Sequence, residues 1–255
     1  MRRSPPGMPV RCPDSRSRHE RAEHTQRTGG WSAAHQTSRS VITSDRLYRR
    51  VLRPPLDWVM DRTHRMETRR PVRYDDLAFD EDRGVYYAAS DWRALPAFLR
   101  AAPVRAGDVF VDLGCGKGRV LIQAVAYPFA RIIGLELDPG LAALARRNVT
   151  NRTSRIAIES ADVITWAVPD DVTHVYLYNP FHGAVMDAAL RRLRESLERS
   201  PRDLRIGYFN PVDRDRLIHF GAVLVDSCRL RRGEGYVVEV YRLDKLPMVE
   251  DPRKL

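Results

Sequence analysis

The decamer Val109-Phe110-Val111-Asp112-Leu113-Gly114-Cys115-Gly116-Lys117-Gly118 sets a carboxylate and three alternate glycines at the end of an apolar run. A buried strand that stops in a glycine loop and opens into a helix, here Arg119 to Ala126, brings backbone N–H groups close to a ligand. The spacing narrows which ligand. A dinucleotide fingerprint reads G-x-G-x-x-G, whereas here the third glycine arrives one residue early and an acid stands two residues before the first. A pyrophosphate would avoid that carboxylate. The loop also lacks the G-K-[ST] ending of a triphosphate-binding P-loop, so Lys117 is expected to face solvent rather than a phosphate.

Further residues able to do chemistry fall at the ends of other strand-like segments. Glu136 closes the segment 131–136, and Asp138-Pro139 just after it suits the first turn of a helix. Asp162 follows the segment 155–159, and 173–178 delivers Asn179-Pro180-Phe181-His182. In an open α/β sheet, ligands bind beyond the carboxyl ends of the strands near a switch point, which would gather these side chains on one rim. Plainer readings exist for each. Asp162 also suits a helix N-cap, and Asn-Pro is an ordinary turn after a buried strand. His182 is the base that an oxygen or carbon acceptor needs, although a lone histidine beside a motif is more often incidental. His174 reads as structural or exposed.

The elements that must position these residues alternate. Strands are expected at 109–113, 131–136, 155–159, 173–178 and 204–209, with helices at 117–127, 139–150, 162–167 and 184–199. The last helix carries Met186, Leu190, Leu193 and Leu197 on one stripe, as a helix covering a sheet does. Such alternation implies a doubly wound parallel sheet. The tail breaks the rhythm, because 222–230 and 235–243 are β-rich and flank the hairpin signal Arg231-Arg232-Gly233-Glu234. Upstream, Ser90-Asp91 caps a helix with Trp92, Leu95, Phe98 and Leu99 on its apolar face, and Pro96 is expected to kink or restart it. A short helix with Leu47, Val51, Leu56, Trp58, Val59 and Met60 is expected to break at Pro54-Pro55, and 75–82 reads as a loop.

Composition bounds the rest. A chain of 255 residues allows one large α/β domain and an appendage. The net charge of +10 looks like a nucleic-acid signal until it is located: residues 1–50 hold eleven Arg against four Asp and Glu, which leaves about +3 for the remainder. Residues 1–43, rich in Arg, Ser, Pro and Thr, are expected to be a disordered basic extension without a secretory signal. Nucleic acid is expected as a partner only through this extension. No apolar run reaches membrane-spanning length, so a cytoplasmic protein without a membrane partner is expected. Cys12, Cys115 and Cys228 are odd in number and lack metal spacing, so reduced thiols and no metal site are expected.

Asp112-x-Gly114-x-Gly116-x-Gly118, with Glu136 at the end of the next strand, resembles motif I of the class I, seven-strand S-adenosylmethionine-dependent methyltransferases. That resemblance covers about residues 84–243. It implies an α/β fold with a doubly wound, mostly parallel seven-stranded sheet in the order 3-2-1-4-5-7-6, an antiparallel C-terminal hairpin and helices on both faces. It divides the chain into the extension 1–43, a lid and acceptor-pocket segment 44–90, a methyltransferase domain 91–245 and a tail 246–255. The cofactor it implies is S-adenosyl-L-methionine, with Asp112 near the methionine amino group, Glu136 on the ribose hydroxyls and Asp162 on the adenine amino group. Gly114, Cys115, Gly116 and Gly118 would form the cradle. Gly84-Val85-Tyr86-Tyr87 resembles the tyrosine-bearing loop that covers the cofactor in the non-SET seven-strand protein-lysine methyltransferases, which implicates Tyr87. Asn179-Pro180-Phe181 resembles the N-P-P-[YFW] tetrad of amino-group methyltransferases with one proline missing. These three are the catalytic candidates: Asn179, also beside the cofactor, and Pro180 offer acceptors for an amine's N–H groups, and Phe181 offers an aromatic face to the cationic centre. The expected activity is methyl transfer to nitrogen, a protein lysine among the acceptors. Oxygen or carbon transfer to a small metabolite and a non-catalytic binding module are the alternatives.

Overall fold

The computed structural model describes residues 53–72, 76–79, 82, 84–230 and 236–244. Along them run α1 (Arg53–Thr63), α2 (Ala94–Ala101), β1 (Val109–Leu113), α3 (Arg119–Ala124), β2 (Arg131–Glu136), α4 (Pro139–Val149) and β3 (Ile156–Ser160). After these come β4 (Val172–Leu177), α5 (Gly183–Arg199), β5 (Leu204–Phe209), α6 (Arg214–His219), β6 (Ala222–Arg229) and β7 (Val237–Leu243). All five residues of β1 are buried, and so are five of six in β2 and in β4. Strands covered on both faces read as apolar runs without alternation, which is what parallel packing demands.

The seven strands form one sheet in the order β3-β2-β1-β4-β5-β7-β6, as expected. The first five are parallel and β7 is antiparallel to both neighbours. Leu113 stands level with Leu135 on one side and Leu177 on the other, and Glu136 stands level with Ser160. The carboxyl ends of β1, β2, β3 and β4 therefore share one rim, and the strand order reverses between β1 and β4. Apolar side chains fill both faces. Met186, Leu190, Leu193 and Leu197 of α5 join Val111, Val175 and Ile206 on one side; Phe98 of α2 and Leu121 of α3 join Phe110, Phe129 and Tyr176 on the other. No helix of the described residues is long and apolar enough to cross a membrane.

Several local expectations need correction. α1 runs through Pro54 and Pro55, and α2 starts at Ala94, so all three prolines, Pro96 included, fall in a first helical turn, where no N–H is needed. Asp91 serves α2 from outside, its carboxylate accepting from Arg93 N at 3.0 Å. Residues 162–167 form a turn rather than a helix: Asp162 Oδ1 accepts from Ile164 N (3.0 Å) and its carbonyl from Thr165 N and Trp166 N. α6 was not foreseen. His174 is buried and structural, its Nε2 3.2 Å from the Ala102 carbonyl oxygen and its ring edge-on to Phe129. Cys115 is a free buried thiol; Cys228 is not free. Cys12, the extension 1–43, the turn Arg231–Glu234 and the tail 246–255 lie outside the described residues.

Candidate active site

The glycine loop is tied back onto β2. Gly114 N and Cys115 N both donate to the Leu135 carbonyl (2.9 Å each), and Gly116 N donates to Glu136 Oε2 at 2.7 Å. Three N–H groups expected to reach a ligand are thus engaged within the protein. Their effect is to hold the Glu136 carboxylate, which also accepts from Asp138 N through Oε1 at 3.0 Å. A carboxylate has about four lone-pair sites, more than the backbone donors here fill, so Glu136 is pinned yet able to accept more. Burial pushes its pKa up, against the pull of those backbone donors.

Asp112 differs. It is buried at the end of β1, and its pKa stands well above the ordinary carboxylate range because burial and the nearby Glu136 both oppose its charge. No hydrogen-bond donor or cation among the described residues relieves it. A buried carboxylate in this state needs a donor or a cation from outside the fold. Both acids line one crevice open to solvent, with Asp162, Tyr178, Asn179, Pro180 and Phe181 on its other walls.

The segment before α2 closes over this crevice. Val85 N donates to the Pro180 carbonyl at 3.1 Å, and Val72 pairs with Tyr87 as an antiparallel bridge. The Tyr87 ring lies on Gly116, where an added Cβ would stand 2.3 Å from ring carbon Cε2, and its hydroxyl donates to the Thr68 carbonyl at 2.7 Å. Pro180 lies against Gly114 just as closely. Both glycines also sit at positive φ, 76° and 53°, so backbone conformation and close approach each require them.

Two cations, Lys117 of the loop and Arg119 of α3, tie this covering segment down. Lys117, expected in solvent, is buried: its Nζ reaches Glu67 Oε1 and the Arg70 carbonyl, both at 3.1 Å, and lies 5.2 Å from the Tyr87 ring centroid. Arg119, also buried, donates from Nη1 to Asp57 Oδ1 (2.7 Å) and the Ser90 carbonyl (3.0 Å), and from Nε to Thr68 Oγ1 (2.7 Å). Asp61 stands 3.6 Å from Nη2, and the Trp92 ring covers the guanidinium at 4.8 Å. Residues 53–72 are in this way strapped across the helix that the glycine loop opens.

On the opposite wall, Asn179 adopts φ 43°, a left-handed conformation that asparagine tolerates. Its Oδ1 accepts from the Tyr208 hydroxyl at 2.7 Å; that hydroxyl accepts from Asp213 N at 3.3 Å, and burial pushes its pKa up to about 12. His182 Nδ1 lies 2.6 Å from Asp213 Oδ2. A carboxylate partner makes Nδ1 the donor and leaves Nε2 as the free acceptor.

The structure brings Asp112, Gly114, Cys115, Gly116, Glu136, Asp162, Asn179, Pro180, Phe181 and Tyr87 to the walls of one crevice. Details differ from expectation. Gly118 is not in the wall: at φ 81° it precedes α3 and packs on Ala145, 3.5 Å from an added Cβ, so it serves helix packing. The Cys115 thiol turns into the core toward Gly134, whose added Cβ would stand 2.8 Å from Sγ, and burial keeps it protonated. The Asn179 and Pro180 oxygens already hold Tyr208 and Val85, leaving one lone pair each. Phe181 is buried in the core under α5 as well as lining the crevice. Sequence reasoning missed Tyr208, Asp213, Thr68 and Arg119. Only Arg119 carried a signal, a cation at the mouth of an otherwise apolar helix.

Residues 110–200 match the family described as "Methyltransferase domain". Trans-aconitate 2-methyltransferase of Methylobacterium nodulans is 36% identical over 122 residues, 45% of this chain and 46% of that protein. The chain thus spans about half the length of the curated relative it matches. Among solved structures, an S-adenosylmethionine-dependent methyltransferase from Mesorhizobium loti aligns with 58% of this chain and 96% of its own at 18% identity and a TM-score of 0.46. An RNA methyltransferase from Salinibacter ruber, in complex with S-adenosyl-L-homocysteine, aligns over 64% and 98% at 21% identity and a TM-score of 0.46.

Proposed function

We infer, from a chain that carries a methyltransferase domain of the class I fold, that it transfers a methyl group from S-adenosylmethionine to an acceptor nitrogen, with protein lysine as the first acceptor to test. The observation behind this is Asp112, buried near the end of β1 with no donor among the described residues to relieve it, in the same crevice as the pinned Glu136. Such a pair suits a ligand with an ammonium group at one point and a diol at another. The residues present therefore fit the cofactor. Asp112 would hold its ammonium, Glu136 its ribose hydroxyls and Asp162 its adenine amino group. S-adenosylmethionine supplies a methyl group on a cationic sulfur; the chain's part is alignment, which in general contributes roughly 7–11 kcal/mol.

Asn179 and Pro180 would orient the acceptor through their remaining lone pairs, with Tyr208 fixing the amide and the left-handed backbone of Asn179 aiming it. Tyr86, half exposed at the crevice, and the 84–90 segment would exclude water from the acceptor side. Charge-assisted hydrogen bonds are worth about 1.5–3 kcal/mol each. Glu136→Ala is accordingly expected to weaken cofactor affinity tenfold or more by calorimetric titration. The same titration tests the whole reading: binding of NADH without binding of S-adenosylmethionine overturns it. Labelled methyl offered to a lysate fractionated into protein, nucleic acid and small molecules then identifies the acceptor.

A second reading, transfer to oxygen of a small metabolite, is favoured by the 2.6 Å His182–Asp213 contact, which leaves Nε2 free to take a proton. Trans-aconitate, the substrate in the relative's name, is such a metabolite. Loss of turnover in His182→Ala but not in Asn179→Ala selects oxygen transfer; the opposite pattern selects nitrogen.

A further inference from the structure

We propose that the outward face of α1 and the turn after it form a docking surface for single-stranded nucleic acid, with Trp58 as a base platform and Arg62, Arg65 and Arg69 as phosphate contacts. The proposal rests on how residues 53–70 sort their charges. Asp57 and Asp61, one helical turn apart, are both buried and face Arg119, at 2.7 and 3.6 Å. Asp61 also accepts from Thr68 N, Thr68 Oγ1 and Arg69 N. Glu67 is held by Lys117 at 3.1 Å. Asp57 and Asp61 are thus neutralised from the interior, while Glu67, half exposed, is offset by its ion pair with Lys117. Arg62, Arg65, Arg69 and Arg70 are all exposed, and no ion pair among the described residues engages any of them. The segment's composition is mixed, but the face it shows to solvent is cationic.

The geometry suits a strand rather than a flat partner. Trp58 and Arg62 lie four residues apart on α1 and share one side of it, and Arg65 follows in the turn after the helix. Trp58 is 47% exposed with the Arg62 guanidinium 5.8 Å from its ring centroid, leaving the rest of its surface to stack a base. α1 ends at Thr63, and Arg65 at φ 48° turns the chain while Met66 N donates to the Asp61 carbonyl. This turn brings Arg69 and Asn148 of α4 to the same open groove as Trp58, Arg62 and Arg65, where the acids Asp61 and Glu67 are already paired with Arg119 and Lys117. A groove with one aromatic plane and spaced cations matches bases and phosphates. A folded acidic protein need not present rings and charges in alternation as a strand of nucleotides does, and a bilayer asks for a broad apolar face. Among its described side chains, α1 exposes two large apolar residues, Leu56 and Val59, besides Trp58. The arginine-rich residues 1–50 precede α1 directly, so the positive charge is continuous along the chain.

The test is anisotropy of a labelled oligothymidylate with the full chain across a salt series. Single-strand binding has a log–log salt slope of about −0.7 per phosphate contact. Arg62→Gln/Arg65→Gln/Arg69→Gln is expected to make the slope shallower by about 2 while the melting temperature stays unchanged, since all three side chains are exposed. Trp58→Ala is expected to weaken binding roughly fivefold or more. A wild-type slope in the triple variant overturns the proposal, because residues 1–50 then supply the contacts. Equal competition by polyglutamate of matched charge overturns it in favour of an acidic protein. Binding to anionic phosphatidylserine vesicles without oligonucleotide binding overturns it in favour of a membrane surface.

Discussion

Burial without a partner sets the behaviour of Asp112, and the direction of its pKa carries a signed prediction. A carboxyl whose folded pKa lies above its unfolded value stabilises the fold fully only below the unfolded pKa, and that contribution disappears as pH rises through the folded pKa. The ligand-free protein should therefore lose stability as pH rises through the raised pKa of Asp112, with Glu136 acting in the same direction. Asp112→Asn is expected to remove that loss and raise the neutral-pH melting temperature of the ligand-free protein by a few degrees, about 2–4 °C per kcal/mol at this size. An ammonium ligand acts oppositely, since it requires the ionised form. Cofactor binding should then release a proton and tighten with rising pH over the same window. Titration calorimetry in two buffers of different ionisation heat reads this directly. Asp112→Asn should bind weakly with no proton released; wild-type binding with no proton exchange would contradict the assignment of Asp112.

At the scale of elements, the strap 53–72 centres on one guanidinium, with Lys117 and Asn148 as further ties. Arg119 sits on the first residue of α3, which the glycine loop opens, and its contacts reach Asp57, Asp61, Thr68 and Ser90 across the lid. Removing a cation from buried carboxylates leaves an uncompensated charge, which typically costs about 3–5 kcal/mol. Arg119→Met should lower urea stability by that order, and adding Asp57→Asn and Asp61→Asn should recover most of it, because the charge is then gone from both sides. If the single substitution costs under about 1 kcal/mol, the strap is not held by this ion cluster. These contacts explain what was illegible at this scale. Lys117 lies in the glycine loop and reads locally as solvent-facing, and Arg119 opens the helix after it, yet most of their partners lie about fifty to sixty residues earlier in the chain. Pro54, Pro55 and Pro96 read as breaks because a proline's effect depends on how far it lies from a helix start, and packing chose those starts.

The whole molecule couples lid and sheet across the crevice. Tyr87 rests on Gly116, Val85 bonds to Pro180, and Glu136 holds the loop that Tyr87 covers. A ligand that engages Asp112 and Glu136 should therefore quieten segments it does not touch. Hydrogen exchange on adding S-adenosylmethionine is expected to slow at Val72, Val85 and Gly116 together, while amides of the β6–β7 hairpin on the far edge stay unchanged. Slowing confined to Gly116 would mean that the lid moves independently of the loop.

The sheet order came from the resemblance to the class I methyltransferases; the strands themselves, the rim that gathers the acids and the crevice they line could be read from residue order. Each rests on local rules: apolar runs for doubly covered strands, glycines where the backbone turns left-handed, and an acid at a strand's last position. Tertiary contact alone decided that the loop's N–H groups serve Leu135 and Glu136, that Tyr208 takes the Asn179 oxygen and Val85 the Pro180 carbonyl, and that Gly118 leaves the crevice wall. A donor or acceptor is satisfied by whichever partner folding brings within 3 Å, and for these groups most such partners come from distant stretches of the chain.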